Sequence, residues 1–107
     1  MTADSETPAV DRRDRIGVRD NARSSRYEAV LEGETVGLLL YERTSSAIEL
    51  VHTVTDPEHR GEGAASMLTL TALAEARAQG LRVVVICPFV ESWLQRHPEH
   101  AAGVVRG

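Results

Sequence analysis

Three short stretches of the sequence carry residue types able to do chemistry. In "VVVICPFV", residues 83–90, the only cysteine of the chain, Cys87, stands where a β-branched run meets a proline. If Pro88 opens a helix, Cys87 is its N-cap and faces N–H groups that no helical carbonyl satisfies. A free thiol titrates near about 8.5, and a helix N-terminus lowers that into or below the physiological range, favouring the nucleophilic thiolate. The competing reading is a small buried hydrophobe at the end of an apolar strand. Both stand at this stage.

The second stretch is "DPEHRGEGAAS", residues 56–66. Gly61 and Gly63 let successive backbone N–H groups turn toward one point, and a helix N-terminus directly after them adds partial positive charge. With the forked guanidinium of Arg60 this makes an anion site suited to phosphate, although the carboxylate of Glu62 opposes it. The alternative is a plain turn before a helix. A Walker loop needs a lysine that the chain lacks. The dinucleotide fingerprint fails too, since Ser66 stands where a third glycine or alanine belongs and the next strand ends in Cys87-Pro88 rather than an acid.

Histidines form the third group. His52, on a strand leading into the glycine loop, is placed either as a proton carrier for the site or as a residue satisfied by its neighbours. His59 reads as a loop residue. His97 and His100 in "HPEH" lack a third ligand, so they read as exposed side chains and no metal site is expected. Phe89 and Trp93 read as packing anchors.

These residues need a scaffold, and 107 residues with 42% hydrophobic and 26% charged content supply one core and one compact domain. A net charge of −4 with scattered basic residues argues against a nucleic-acid partner. All twelve basic residues are Arg, which removes any mechanism that needs a lysine. No signal peptide, no bilayer-length apolar stretch and no internal disulfide are readable, so a cytoplasmic protein without membrane contact is expected. Residues 1–14 mix charges densely with few large apolar residues and read as a flexible arm before a domain over 15–107.

Along that domain, strands begin near Ile16, a hairpin turns at Glu32-Gly33-Glu34, and a third strand within "TSSAIELVHTVT" ends at Asp56-Pro57. With no helix between them, these strands are expected to be antiparallel. A helix over 62–79 stops at Gly80-Leu81. "LRVVVIC" is then apolar at nearly every position, the pattern of a strand covered on both faces, and the crossover makes it parallel to the third strand. The fold class is α/β (α+β), with antiparallel strands followed by a glycine-loop helix, a parallel strand and a short C-terminal helix. Met67, Leu70 and Ala74 form a second apolar strip on the helix for the C-terminal segment or a partner, consistent with a monomer or weak homodimer.

Residues 60–65, Arg-Gly-Glu-Gly-Ala-Ala, fit the R/Q-x-x-G-x-G/A loop of the GNAT superfamily of acetyl-CoA-dependent N-acetyltransferases. From Arg15 onward the chain resembles the small, single-domain YjdJ-type subgroup, with its H-T-E-V, R-G-x-G, C-P-F and closing H/N-P-E. The resemblance implies a coenzyme A pyrophosphate held by Arg60, Gly61, Glu62, Gly63, Ala64, Ala65 and Ser66, with Val54 and Thr55 also lining the acetyl-CoA site. It implies that the third strand and the strand ending at Cys87 splay to pass the pantetheine arm, bringing Cys87 near the acetyl group as acyl acceptor or proton donor. His52 and Thr53 match the first two motif positions, but Val54 replaces the glutamate.

The expected function is transfer of an acetyl group from acetyl-CoA to an amine, with Cys87 and His52 as catalytic candidates. The acceptor is unknown; only Asn21 to Ser25 separates the first two strands, so a shallow site suits a protein or peptide amine. A non-catalytic acetyl-CoA or CoA sensor and a protein-interaction module are the rival readings.

Overall fold

Strand β1 (Ile16–Asn21) turns through a single 3-10 turn into β2 (Arg26–Leu31), and β2 turns at Glu32-Gly33 into β3 (Glu34–Arg43). Both turn residues have positive φ, 53° and 85°, so this is a mirror-image turn whose twist matches that of the flanking strands. The computed structural model describes residues 15–59 and 63–107; the arm expected over 1–14 and the loop residues Arg60, Gly61 and Glu62 lie outside the described residues.

After β3 come β4 (Ala47–Thr55), α1 (Ala64–Ala78), β5 (Arg82–Val85), α2 (Pro88–Arg96) and β6 (Val104–Arg106). The sheet runs β1-β2-β3-β4-β5-β6, antiparallel through β4 and parallel from β4 to β6. The expected fold class is the observed one, a mixed sheet with two helices, and the β4-α1-β5 crossover makes the parallel pair.

Helix α1 is shorter than expected at its start because Gly63, at φ 92°, is the N-cap. It ends as the sequence indicates. Gly80, at φ 71°, bonds back to the Arg77 carbonyl at 3.1 Å, and the Leu81 N–H reaches Ala76 at 2.8 Å, which satisfies carbonyls the last turn leaves open. Leu68, Ala72, Leu73 and Ala76 bury one face of α1 against Tyr27, Leu39 and Leu50 of the sheet. Tyr27 also donates its hydroxyl to Glu75 at 2.9 Å; burial and that carboxylate push the phenol up from its ordinary range. Met67 and Leu70 pack against the core and Ala74 is exposed, so the second strip on α1 leaves no large apolar side chain free.

Both helices lie on one side of the sheet. α1 reaches it through Gly37, where an added Cβ would sit 3.3 Å from Leu68, and α2 is tied to β6 through Glu91 and Arg106. β5 therefore departs from the expectation of cover on both faces. Val83 and Val85 are buried toward the helices, while Val84 is half-buried and Ile86 is 46% exposed on the other face, where no helix of the described residues lies. β6, only three residues long, is too short to read from sequence pattern. His97 and His100 also differ from free surface histidines: both rings pack, tilted, against the buried Trp93, at centroid distances of 4.3 and 5.3 Å.

Candidate active site

The site begins with a fault in the β3–β4 ladder. Leu40 pairs with His52, but the next residue, Tyr41, pairs with Leu50, so Val51 has no partner and bulges. A strand alternates its side chains, and one extra residue exchanges the two faces beyond it. Before the bulge Ile48 and Leu50 point into the core; after it Thr53 and Thr55 share a face with the buried Leu39 and Gly37, their register partners. His52 and Val54 consequently point to the helix-free face and are exposed.

The parallel ladder stops at the same level. β4 and β5 pair from Ala47↔Arg82 to Leu50↔Val85, and then the N–H groups of Ile86 and Cys87 both donate to the Leu50 carbonyl at 2.9 Å. β4 runs on to Thr55 while the other chain turns at Pro88 into α2. Among the described residues no backbone hydrogen bond joins Val51–Thr55 to the chain after Cys87, so the two strands part here. Cys87 is the N-cap of α2, with its carbonyl accepting the Glu91 N–H at 3.1 Å. Its side chain makes no capping bond and is 1% exposed; the sulfur lies 3.2 Å from the Thr53 hydroxyl.

Between the N-terminus of α1 and the face of α2 lies a pocket of about 420 Å³, within the range that holds small-molecule ligands. Thr53 and Thr55 form its strand wall and Gly63, Ala64, Ala65 and Ser66 its helix end, with Phe89 and Arg96 opposite and His59 at the loop. The first N–H groups of α1 have no helical acceptor, no side chain caps them and no acid stands in the first turn. An anion is favoured there by those N–H groups and by the helix dipole. Arg96, which also donates to Ser92 at 2.8 Å, adds a full positive charge to the same pocket. The arrangement suits an anion such as a phosphate at the α1 end, with the two threonine hydroxyls along the strand wall.

Of the residues expected at a site, Thr55, Gly63, Ala64, Ala65 and Ser66 line this pocket. Cys87 does not line it but touches Thr53, which does. His52 and Val54 are on the opposite face. Thr53, His59, Phe89 and Arg96 line the pocket without having been singled out as ligand-binding residues. For Arg96 a signal existed: it is seven residues from Phe89, so the two share a face of α2.

A sequence profile described as "GCN5-related N-acetyl-transferase" matches residues 26–103, most of the chain and every element from β2 to α2. The chain belongs to the GCN5-related N-acetyltransferase family. A solved structure with the same fold is the ribosomal-protein-alanine N-acetyltransferase from Brucella melitensis biovar Abortus 2308, at 18% identity and a TM-score of 0.59. The match covers 71% of this GCN5-related chain and 62% of that one. No curated protein sequence matches significantly.

Proposed function

We propose that the pocket binds acetyl-CoA and that the chain transfers its acetyl group to an amine. The observation that carries this reading is the pocket itself, in which uncapped N–H groups of α1 and the Arg96 guanidinium meet at one end and Thr53, in contact with Cys87, stands at the other. The pyrophosphate lies on the N–H groups of Gly63 to Ser66 and on Arg96. The pantetheine arm runs along Thr55 and Thr53 into the gap between β4 and β5, where strand N–H groups freed from pairing stabilise the oxyanion.

In the transfer step the amine nitrogen forms a bond to the thioester carbonyl carbon, and the carbon–sulfur bond breaks. The amine gives up one proton to a base or to solvent, and the coenzyme thiolate gains one. Cys87 supplies that proton through the Thr53 hydroxyl, a role that fits a thiol with 1% exposure better than carrying the acetyl group itself. His52, on the other face, is the candidate to take the proton of the amine. No carboxylate of the described residues lines the pocket, which favours a non-catalytic coenzyme sensor as the second reading.

Release of free coenzyme thiol from acetyl-CoA, measured against a panel of amines and lysine peptides, decides between the two. Amine-dependent release supports transfer. Binding of acetyl-CoA with no release above solvent hydrolysis for any amine supports the sensor.

A further inference from the structure

Two polar side chains are buried among the described residues, Glu28 and Thr69. Glu28 is met by three donors, from Arg19, Asn21 and Arg26, as a buried carboxylate requires. Thr69 is different: it is the one polar residue on the buried face of α1, among Ala64, Leu68, Ala72, Leu73 and Ala76. Fully shielded from solvent, its hydroxyl donates to the Ala65 carbonyl at 2.9 Å. That carbonyl already serves the Thr69 N–H in the helical ladder, so the fold does not need a second donor there. A valine of the same shape would fill the space with no polar atom to satisfy, which is neutral or favourable for stability. The consequence of the hydroxyl lies one turn earlier, in the pocket.

The Ala65 C=O and the Ser66 N–H are two ends of one peptide unit. The Met67 N–H is the first that the helix satisfies, on the Gly63 carbonyl at 2.9 Å, so the Ser66 N–H is the last donor left open at the start of α1. Ser66 lines the pocket, with Arg96 opposite. A carbonyl that accepts two hydrogen bonds polarises its peptide and strengthens the N–H at the other end, by about 10–30% for each bond in a chain. Back-bonding of this kind also bends some helices. Here the first turn is pinned, because a Cβ on Gly37 would sit 3.3 Å from Leu68 and 3.5 Å from Ala64, which leaves α1 no room to tilt toward the sheet. Polarisation is therefore the larger effect. We propose that Thr69 is a positioning residue for the anion end of the pocket: its hydroxyl keeps the 65–66 peptide polarised, so that the Ser66 N–H binds a phosphate oxygen more strongly than an ordinary first-turn amide. That the phosphate belongs to acetyl-CoA rests on the proposed function above.

The test is a titration of inorganic pyrophosphate, without acetyl-CoA, into the wild type, Thr69→Val and Thr69→Ser, followed by calorimetry and by the backbone amide NMR signals. Thr69→Val keeps the shape and loses the hydroxyl. It should melt at or above the wild type yet bind about 2- to 4-fold more weakly, the size of one charge-assisted bond losing its cooperative share. Thr69→Ser keeps the hydroxyl and loses a methyl. It should melt several degrees lower yet bind as the wild type does. The downfield shift of the Ser66 amide proton at saturation should shrink in Thr69→Val alone, with the Ala65 amide unchanged, because only the 65–66 peptide loses its second donor. A packing role for Thr69 gives the reverse order, with affinity following melting temperature. The proposal is overturned by that order, by equal affinity in the wild type and Thr69→Val, or by pyrophosphate that leaves the Ser66 amide unmoved. A pocket that binds pyrophosphate in this Thr69-dependent way but does not bind acetyl-CoA contradicts the coenzyme reading alone. Acetyl-CoA bound equally well by the wild type and Thr69→Val contradicts the role of Thr69 alone.

Discussion

The Thr53 hydroxyl and the Cys87 sulfur lie 3.2 Å apart, one on the strand wall of the pocket and the other behind it at the N-cap of α2. Either atom is able to donate, so the pair forms a two-step path for a proton between a buried thiol and the pocket. With Cys87 as proton donor, Cys87→Ala should lower kcat by about 10²-fold or more, the usual range for general acid catalysis, with acetyl-CoA affinity little changed. Thr53→Val should lower kcat by about 10-fold, and Thr53→Ser should restore it, because only the hydroxyl is needed. Intact-protein mass spectrometry during turnover should find no acetyl group on Cys87; an acetylated Cys87 would make it the acyl carrier instead.

Arg96 contributes a full positive charge to the pocket. A hydrogen bond to a charged group contributes about 1.5–3 kcal/mol, so Arg96→Ala should raise the acetyl-CoA Kd by about 10- to 100-fold. The salt dependence of binding should flatten with it. Unchanged affinity at low ionic strength would remove Arg96 from the site.

At Gly37 α1 packs close against the sheet. An added Cβ would meet Leu68 and the Val54 carbonyl at 3.3 Å and Ala64 at 3.5 Å. Gly37→Val should therefore cost about 1–3 kcal/mol, as overpacking does, and lower the melting temperature by several degrees. Ala64 belongs to the pocket, so coenzyme binding should weaken as well; Gly37→Ala should give a smaller change in both.

Glu28 is 4% exposed on the helix-free face and accepts from Asn21, Arg19 and Arg26 at 3.0, 2.7 and 2.9 Å. These bonds pull its carboxyl down to about 2. A folded-state value below the unfolded one stabilises the fold above the unfolded value, and that stabilisation is lost as pH falls toward about 2. Glu28→Gln should thus melt below the wild type at neutral pH, and the gap should narrow from about pH 5 to about pH 2. A gap independent of pH would mean that the charge of Glu28 does not matter to the fold.

Most of the fold was legible because its signals are local. Turn glycines at Gly33 and Gly80, the proline after Cys87 and the long apolar run of the helix each fix one element boundary. The faces of β4 were not legible. Val51 bulges, and "VHTVT" offers polar and apolar residues at both alternations, so no periodicity distinguishes His52 and Val54 from Thr53 and Thr55 as pocket residues. The apolar run of β5 was legible as apolar but not as half-exposed, since sequence alone does not say that only one face is covered. Arg96 joins the pocket only once α2 has folded back toward the start of α1, a tertiary relation that no local pattern encodes.

In the proposed site the start of α1 and the facing side of α2 hold the phosphates of acetyl-CoA. Isothermal titration of acetyl-CoA into the wild type and into Ala65→Glu tests it most directly. A glutamate in the first turn suits the helix dipole, so the fold stands while the carboxylate repels the phosphates. The wild type should bind saturably and the variant at least about 10-fold more weakly, a loss of about 1.4 kcal/mol or more. No binding by the wild type, or equal affinity in the two proteins, would contradict it.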